Sequence, residues 1–404
     1  DDFKKIPGSP VAYWLSSLML NTFEKHVKST TIANSRAGMT SGNNDFFTKQ
    51  WFEVISQDIK IDSEDVNDAL NSKKKWFPYN KGGAYRKWYG NISLVIKYDS
   101  KNRDLLKNTG NHCASEDCYF KEAMTWTDLT SGHLGARFLP KGNIFDIAGH
   151  CAYPVIKNGH LLALGMFNNK FINTISKVIN ATMHFQPGDF RKLPFPKIFN
   201  NSDSVIDLVR KCIALAKLDW DSYETSWDFN QNPIIRMGQP NLEQAFNTWQ
   251  QQNADAVAEM KRLEEENNKL FIDAYGLQDE LTPDVPDEQI TLTRADREKD
   301  SQRLVSYALG CMMGRYSLDE SGLIYAHAGN QDFDASRYQK FPADADGIIP
   351  LTEMHWFEDD ATHRIREFLT AVWGKDTLDA NMQWLAESLD KKANETAEDT
   401  IRRY

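Results

Sequence analysis

Thirty consecutive residues, Ala69 to Tyr98, contain no acid, seven bases (Lys73, Lys74, Lys75, Lys81, Arg86, Lys87, Lys97) and seven aromatics (Trp76, Phe77, Tyr79, Tyr85, Trp88, Tyr89, Tyr98). Lysine and arginine attract phosphates and release counterions, Gly82-Gly83 permits close backbone approach, and interleaved aromatics stack or wedge. That is the chemistry of nucleic-acid contact. The alternative is a solvated basic strand pair whose aromatics, Trp76 and Trp88 above all, are core. A second acid-free stretch, Ile147 to Gly188, carries Lys157, Lys170 and Lys177, with Arg191-Lys192 just beyond it. Its charge is thin, and alone it reads as a solvated face.

His112-Cys113, Cys118 and His150-Cys151 offer the atom types of a zinc site without its spacing. No CxxC is present, and four residues separate Cys113 from Cys118. Buried thiols and satisfied histidines are the expectation. There is no glycine-rich loop between strand and helix, no P-loop and no G-x-S-x-G. Asn232-Pro233 is followed by Ile234-Ile235, not by the proline and aromatic that clamp a flipped base. Asp255, Glu259 and Lys261 have a loosely nuclease-like order but fall on the face of a long helix, and Glu358-Asp359-Asp360 reads as a helix N-terminus. No catalytic residue, metal ligand or cofactor ligand is assigned.

These residues sit on elements that local patterning predicts. Ser93 to Tyr98 reads as a strand, and glycine and asparagine punctuation at 82–83, 90–91 and 142–143 gives residues 30–200 the texture of a strand-rich mixed α/β (α+β) domain. Gln186 to Asp189 and the doubled prolines of Leu193 to Pro196 close it. Val205 to Ala216 repeats at helical spacing. Asn241 and Gly276 then bracket a helix of about 50 Å whose positions 242, 246, 249, 253, 256, 260, 263, 267, 270 and 274 form a coiled-coil-like seam. An acidic, proline-broken link from Leu281 to Glu288 leads into a third, mostly helical region with a loop at Phe341 to Pro350, helices from Asp359 and Asp376, and an exposed tail. Ser9-Pro10 reads as an N-cap followed by proline at N1. The expected division is 1–29, a linking segment; 30–200, recognition; 201–290, a helical spacer; and 291–404, an acidic helical domain.

The chain of 404 residues is long enough for two or three domains. Its five cysteines argue against a disulfide framework and for a reducing cytoplasm, and no membrane span or leader is visible. The net charge of −10 hides an asymmetry: residues 1–200 carry 26 Lys+Arg against 18 Asp+Glu, residues 201–404 carry 21 against 39, so the halves stand at +8 and −18. A polyanion partner is expected for the first half. The start at Asp1-Asp2-Phe3 is read as lying within a longer parent.

Ile6 to Trp14 (IPGSPVAYW), Gly38 to Phe46 (GMTSGNNDF), Lys75 to Gly83 (KWFPYNKGG), Arg86 to Asn91 (RKWYGN) and Tyr307 to Asp319 (YALGCMMGRYSLD) together resemble the PglX family, the adenine-specific DNA methyltransferases of bacterial BREX phage-defence systems. The resemblance runs end to end and covers the region C-terminal to the family's methyltransferase core. Tyr119-Phe120 to Trp126, Arg137 to Pro140, Phe145-Asp146 and Leu193-Pro194 are similar, more weakly, to specificity regions of type I and fused type II restriction enzymes. The resemblance implies adenine-N6 methylation at a short asymmetric site, with S-adenosylmethionine as the parent's cofactor and none held by this part. Its implied partners are double-stranded DNA, the N-terminal methyltransferase core and other BREX proteins. Ser41-Gly42-Asn43-Asn44 stands where the family shows Thr-Gly-Asp-Asn, a departure that puts the role of this loop in question. Within that reading Lys73, Lys74, Lys75, Lys81, Arg86 and Lys87 would hold phosphates, and Asn43, Asn44 and Arg137 would approach base edges. Two rivals stay open: an interaction scaffold whose acidic half binds basic partners, and a specificity subunit acting in trans.

Overall fold

The computed structural model describes residue 6 and residues 15–129, 132–180, 182–326 and 333–404. Two compact units emerge, one from Asp1–Trp220 with Ala258–Leu292, the other from Asp221–Val257 with Thr293–Tyr404.

Among the described residues of the first unit ten short strands form: β1 (Val27–Lys28), β2 (Ala33–Arg36), β3 (Thr48–Gln50), β4 (Trp76–Asn80), β5 (Leu94–Lys97), β6 (Ala123–Thr127), β7 (Ala136–Leu139), β8 (Ile144–Phe145), β9 (Gly149–Pro154) and β10 (Pro194–Phe195). One antiparallel sheet runs β2-β9-β6-β7, another runs β3-β5-β4-β8 with β8 parallel to β4, and β1 pairs with β10. Short helices lie between these strands, so the unit is an α+β assembly of small sheets. Most of its acid-free second stretch is interior: every residue of helix Gly159–Phe167 is buried, which is why no acid occurs there. The expected closure at 186–196 takes a different form. Gln186 caps a helical turn with Pro187 at its first position, and Pro194–Phe195 form an edge strand, where a missing N–H costs no ladder bond.

Helix Asp203–Trp220 follows, then the long helix Leu242–Tyr275, with Asn241 Oδ1 accepting from Gln244 N at 2.9 Å and Gly276 left-handed at φ 71°. Its buried stripe follows the expected seam through Leu242, Phe246, Trp249, Asn253, Met260, Leu263 and Asn267. Beyond that it drifts to Glu264, Asn268, Phe271, Ile272 and Tyr275, leaving Leu270 and Ala274 half-buried. A heptad repeat slips about 20° per seven residues on a straight helix, and only a supercoiled partner keeps it in register. Here the stripe is covered by short elements within each unit. Asn253 donates to Thr293 O at 2.8 Å and Asn267 to Gly165 O at 3.0 Å, so both polar interruptions are satisfied by backbone.

The second unit is helical: Arg297–Met312, Ala361–Trp373, Leu378–Ser388 and Ala397–Arg403 enclose a core that includes Phe246, Trp249, Tyr307, Tyr316, Phe368 and Leu385. The end of the chain, expected as an exposed tail, is part of it. Thr396 and Asp399 form a capping box, and Thr400 and Ile401 are buried. The expected N-cap at Ser9-Pro10 lies outside the described residues; the first described helix, Ser17–Lys25, starts from Ser16.

Asp360 caps Ala361–Trp373 through His363 N at 2.8 Å while accepting from Arg402 Nη1 at 2.8 Å and His355 Nδ1 at 3.0 Å. Burial pushes its carboxyl up, but these donors outweigh it and hold the group at about 2. A folded pKa below the unfolded value of roughly 4 gives stability that is present above pH 4 and lost as pH falls towards 2. Asp360→Asn is expected to cost about 1–3 kcal/mol at pH 7 and to remove much of this acid sensitivity, read by thermal melts between pH 2.5 and 7.

Candidate nucleic-acid interface

The basic window occupies β4, a loop over 81–93, and β5. β4 is buried on both faces, and Trp76, Phe77, Tyr79, Trp88, Tyr89 and Tyr98 are all core; of the seven aromatics only Tyr85 is exposed, at 41%. Phe77, Tyr98 and Phe120 meet edge to face with centroids 6.0–6.2 Å apart. Stacking on bases is therefore not available to most of the window.

Its bases divide into two groups. Lys87 is only 4% exposed, and its ammonium is paired with Glu264, whose other oxygen accepts from Trp88 Nε1 at 2.8 Å. Lys87 therefore holds the loop against the long helix, its ammonium already taken by a carboxylate, in place of the expected phosphate contact. Burial pushes the Glu264 carboxyl up against the pull of Lys87 and Trp88. Arg86 is half-spent, bonded to Asp219 at 3.0 Å and lying over Trp220 at 5.2 Å. Lys74 donates to Gln57 O, while Lys73 and Lys75 are exposed.

The other group gathers where sheet pairing brings it. Register sets Lys49 of β3 opposite Val95 and Trp76 opposite Lys97. Lys97 Nζ lies 3.8 Å from the Phe46 ring and 5.4 Å from Trp76, and Lys75 Nζ lies 5.9 Å from Trp76. Desolvation, then repulsion from Lys75 and Lys49, lowers the Lys97 ammonium below its usual range, with Asp99 opposing. Lys75 and Lys97 thus share the Trp76 face, and Lys75 and Lys49 both repel Lys97, a charge cluster that a polyanion would relieve.

The turn before β3 borders it. Asn43 caps the short helix Asn44–Phe47, accepting from Phe46 N at 3.1 Å, and Asn44 accepts from Ser41 Oγ at 2.7 Å and from Lys81 Nζ, which stands 3.8 Å from Asp146. Asn43, Asn44, Phe46, Lys81, Lys97 and Lys75 are therefore linked through these contacts. Lys49, Lys97 and Phe46 are additions to the expected set. Lys97 is legible as a base of the acid-free window, whereas Lys49 joins only through the β3–β5 pairing. Arg137 stands apart: it is 1% exposed on β7, beside a cleft of about 350 Å³.

Lys170 donates to Thr282 O at 3.0 Å, Arg191 to Ser35 O at 2.9 Å and Lys192 to Asp189 at 3.0 Å, so these bases serve the fold. The cysteine and histidine candidates do not converge, and no group of three or more His, Cys, Asp or Glu among the described residues could hold a metal. His112 Nδ1 contacts Lys107 O at 2.5 Å, His150 contacts Asp128 at 3.2 Å, and burial pushes the Cys113 and Cys118 thiols up to about 11 and Cys151 to about 12. On the long helix, Gln251 Nε2 donates to Asp255 at 2.8 Å, and Glu259 and Lys261 are spent in surface pairs with Arg262 and Asp287.

No family model matches the chain. Two curated proteins do, each 37% identical over alignments that take in all of it: "Adenine-specific methyltransferase PglX" of Lacticaseibacillus casei (strain Zhang) and "Adenine-specific methyltransferase BrxX" of Escherichia coli O9:H4 (strain HS). The chain spans 34% of the length of each, their C-terminal region.

Proposed function

Since the chain is similar from end to end to the C-terminal region of the PglX and BrxX adenine-specific methyltransferases, we propose that its first unit is the part of such an enzyme that recognises duplex DNA. The self-repelling Lys49–Lys75–Lys97 cluster beside Asn43 and Asn44 carries this reading. Lys49, Lys73, Lys74, Lys75, Lys81 and Lys97 hold phosphates, and the side-chain amides of Asn43 and Asn44 approach base edges. Arg86 and Lys87 position the loop between them.

S-adenosylmethionine would be the methyl donor of the whole enzyme, acting on adenine in host DNA in the cytoplasm. One turn of the kind that could cradle it has no room. The strand-to-helix turn at Asn158-Gly159 is closed, since a Cβ on Gly159 would stand 2.0 Å from Ile32 O. No step of methyl transfer is assigned to these residues; their part is to hold the duplex in register for a pocket elsewhere in the enzyme.

The test is fluorescence anisotropy of the 404-residue chain with a 20-base-pair duplex between 50 and 300 mM salt. Six phosphate contacts give a slope of log affinity on log salt of about −5. Binding that ignores salt, or no binding, overturns the reading.

A second reading concerns the other unit. Ile348, Leu351, Met354, Trp356 and Phe357 are 50–82% exposed within ten residues of an acidic region, which favours docking of a protein partner, here another defence protein.

A further inference from the structure

Arg137 carries a charge that the fold does not neutralise. It lies on β7, opposite Thr125 of β6, and residues 86–89 run alongside, with Trp88 N bonded to Ala136 O at 2.8 Å and Phe138 N to Trp88 O at 2.7 Å. The guanidinium is 1% exposed. Among the described residues its hydrogen bonds are at the long end of the range, Nη1 to Arg86 O at 3.5 Å and Nη2 to Thr127 Oγ1 at 3.4 Å, and Nε has no partner. No carboxylate among those residues pairs with it, and burial, then the nearby Arg86, pull it down to about 10. A buried guanidinium with five donors and no counter-charge is costly unless an anion completes it.

The space for one is present. The cleft of about 350 Å³ is walled by Gly83, Tyr85, Thr127, His133 and Gly135, with Arg137 among its lining residues. We infer that this cleft binds one phosphodiester group of the DNA backbone, taken by Arg137 with the exposed Tyr85 beside it. Charge decides between the two acceptor-rich groups that DNA offers. A guanine edge would satisfy N–H donors but leave the positive charge buried, whereas a phosphate does both and accepts the guanidinium fork in parallel. The contact deepens the reading of the first unit as a DNA-recognition domain and adds to it an anchor separate from the lysine cluster.

The test uses inorganic phosphate first, so that it does not depend on DNA binding. At constant ionic strength, phosphate is expected to raise the melting temperature and to broaden in ³¹P NMR in the Lys75→Gln/Lys97→Gln variant, which removes the lysine cluster's own hold on phosphate and serves as the parent for the phosphate measurements. Thr127→Asp places a carboxylate beside Nη2 and supplies the missing counter-charge from within. It should melt at or above the parent temperature, lose the phosphate response, and bind the duplex about tenfold more weakly. Arg137→Gln, if it folds, should lose the response too; if it does not fold, Thr127→Asp decides. A phosphate response that survives in Thr127→Asp, or none in the parent, overturns the anion site. Steep salt dependence of duplex binding in that case would leave the lysine-cluster reading standing.

Discussion

Replacing Lys49, Lys75 and Lys97 together by Gln is expected to weaken binding of a 20-base-pair duplex roughly five-hundredfold at 0.1 M salt and to flatten the salt slope from about −5 to about −3. Each phosphate contact contributes about 0.9 to the slope, and at 0.1 M the same counterion release is worth a little under one decade of affinity per contact. The fold should not suffer. Desolvation, then repulsion from Lys75 and Lys49, already disfavours the Lys97 ammonium, so losing the three charges takes away a repulsion, and the aliphatic stems of Gln at 75 and 97 still cover Phe46 and Trp76. Loss of the two charges at Lys170 and Lys192, whose ammonium groups are held by Thr282 O and Asp189, should leave the slope close to the parent value. Anisotropy at four salt concentrations, with melts of every variant, reads both quantities. Equal slopes for the two sets would remove the cluster from the interface and with it the proposed function of the first unit.

Local signals in the sequence are reliable because the physics behind them is local. Asn241 and Gly276 bound the long helix through a cap and a left-handed terminator, Asp360 caps a helix, and Leu94–Lys97 form a strand with a buried centre. The acid-free window is equally visible, but its meaning depends on partners far along the chain. Lys87 reads as an exposed base until Glu264, 177 residues later, is placed beside it. Lys49 reads as nothing in particular until antiparallel pairing sets β3 against β5. Arg137 stands out for its type alone, and neither its burial nor its missing carboxylate is written in the residues around it. The heptad seam misleads in part because a 3.5-residue period and a 3.6-residue helix agree over two or three turns and separate over five. The charged end misleads because Glu395 and Arg403 are spent on each other, N···O 2.6 Å, while Thr400 and Ile401 face inward.

The largest effect on stability is expected at Glu264. Removing one partner of a buried pair strands the other charge, so Glu264→Ala should cost about 3–5 kcal/mol, lowering the melting temperature by roughly 10 °C in a unit of this size. Lys87→Met should cost a comparable amount, because it leaves the buried carboxylate to Trp88 Nε1 without a counter-charge. The double variant Lys87→Met/Glu264→Leu removes both charges and fills the space with apolar atoms, and it should recover most of the loss, so the coupling in the double-mutant cycle should reach about 3 kcal/mol. Leu263, the neighbouring residue, is 1% exposed, so Leu263→Asp should be as damaging as Glu264→Ala. Arg262, whose partners Glu259 and Glu266 lie on the surface, should tolerate Gln near the parent melting temperature. Glu265 is a poorer control, because Oε1 accepts from Val285 N at 3.2 Å. The same cycle separates anchoring from contact. If Lys87 only holds the loop, the refolded double variant should bind DNA with the parent salt slope; a slope flatter by about one would make Lys87 a phosphate contact after all, and its burial beside Glu264 a state of the free protein.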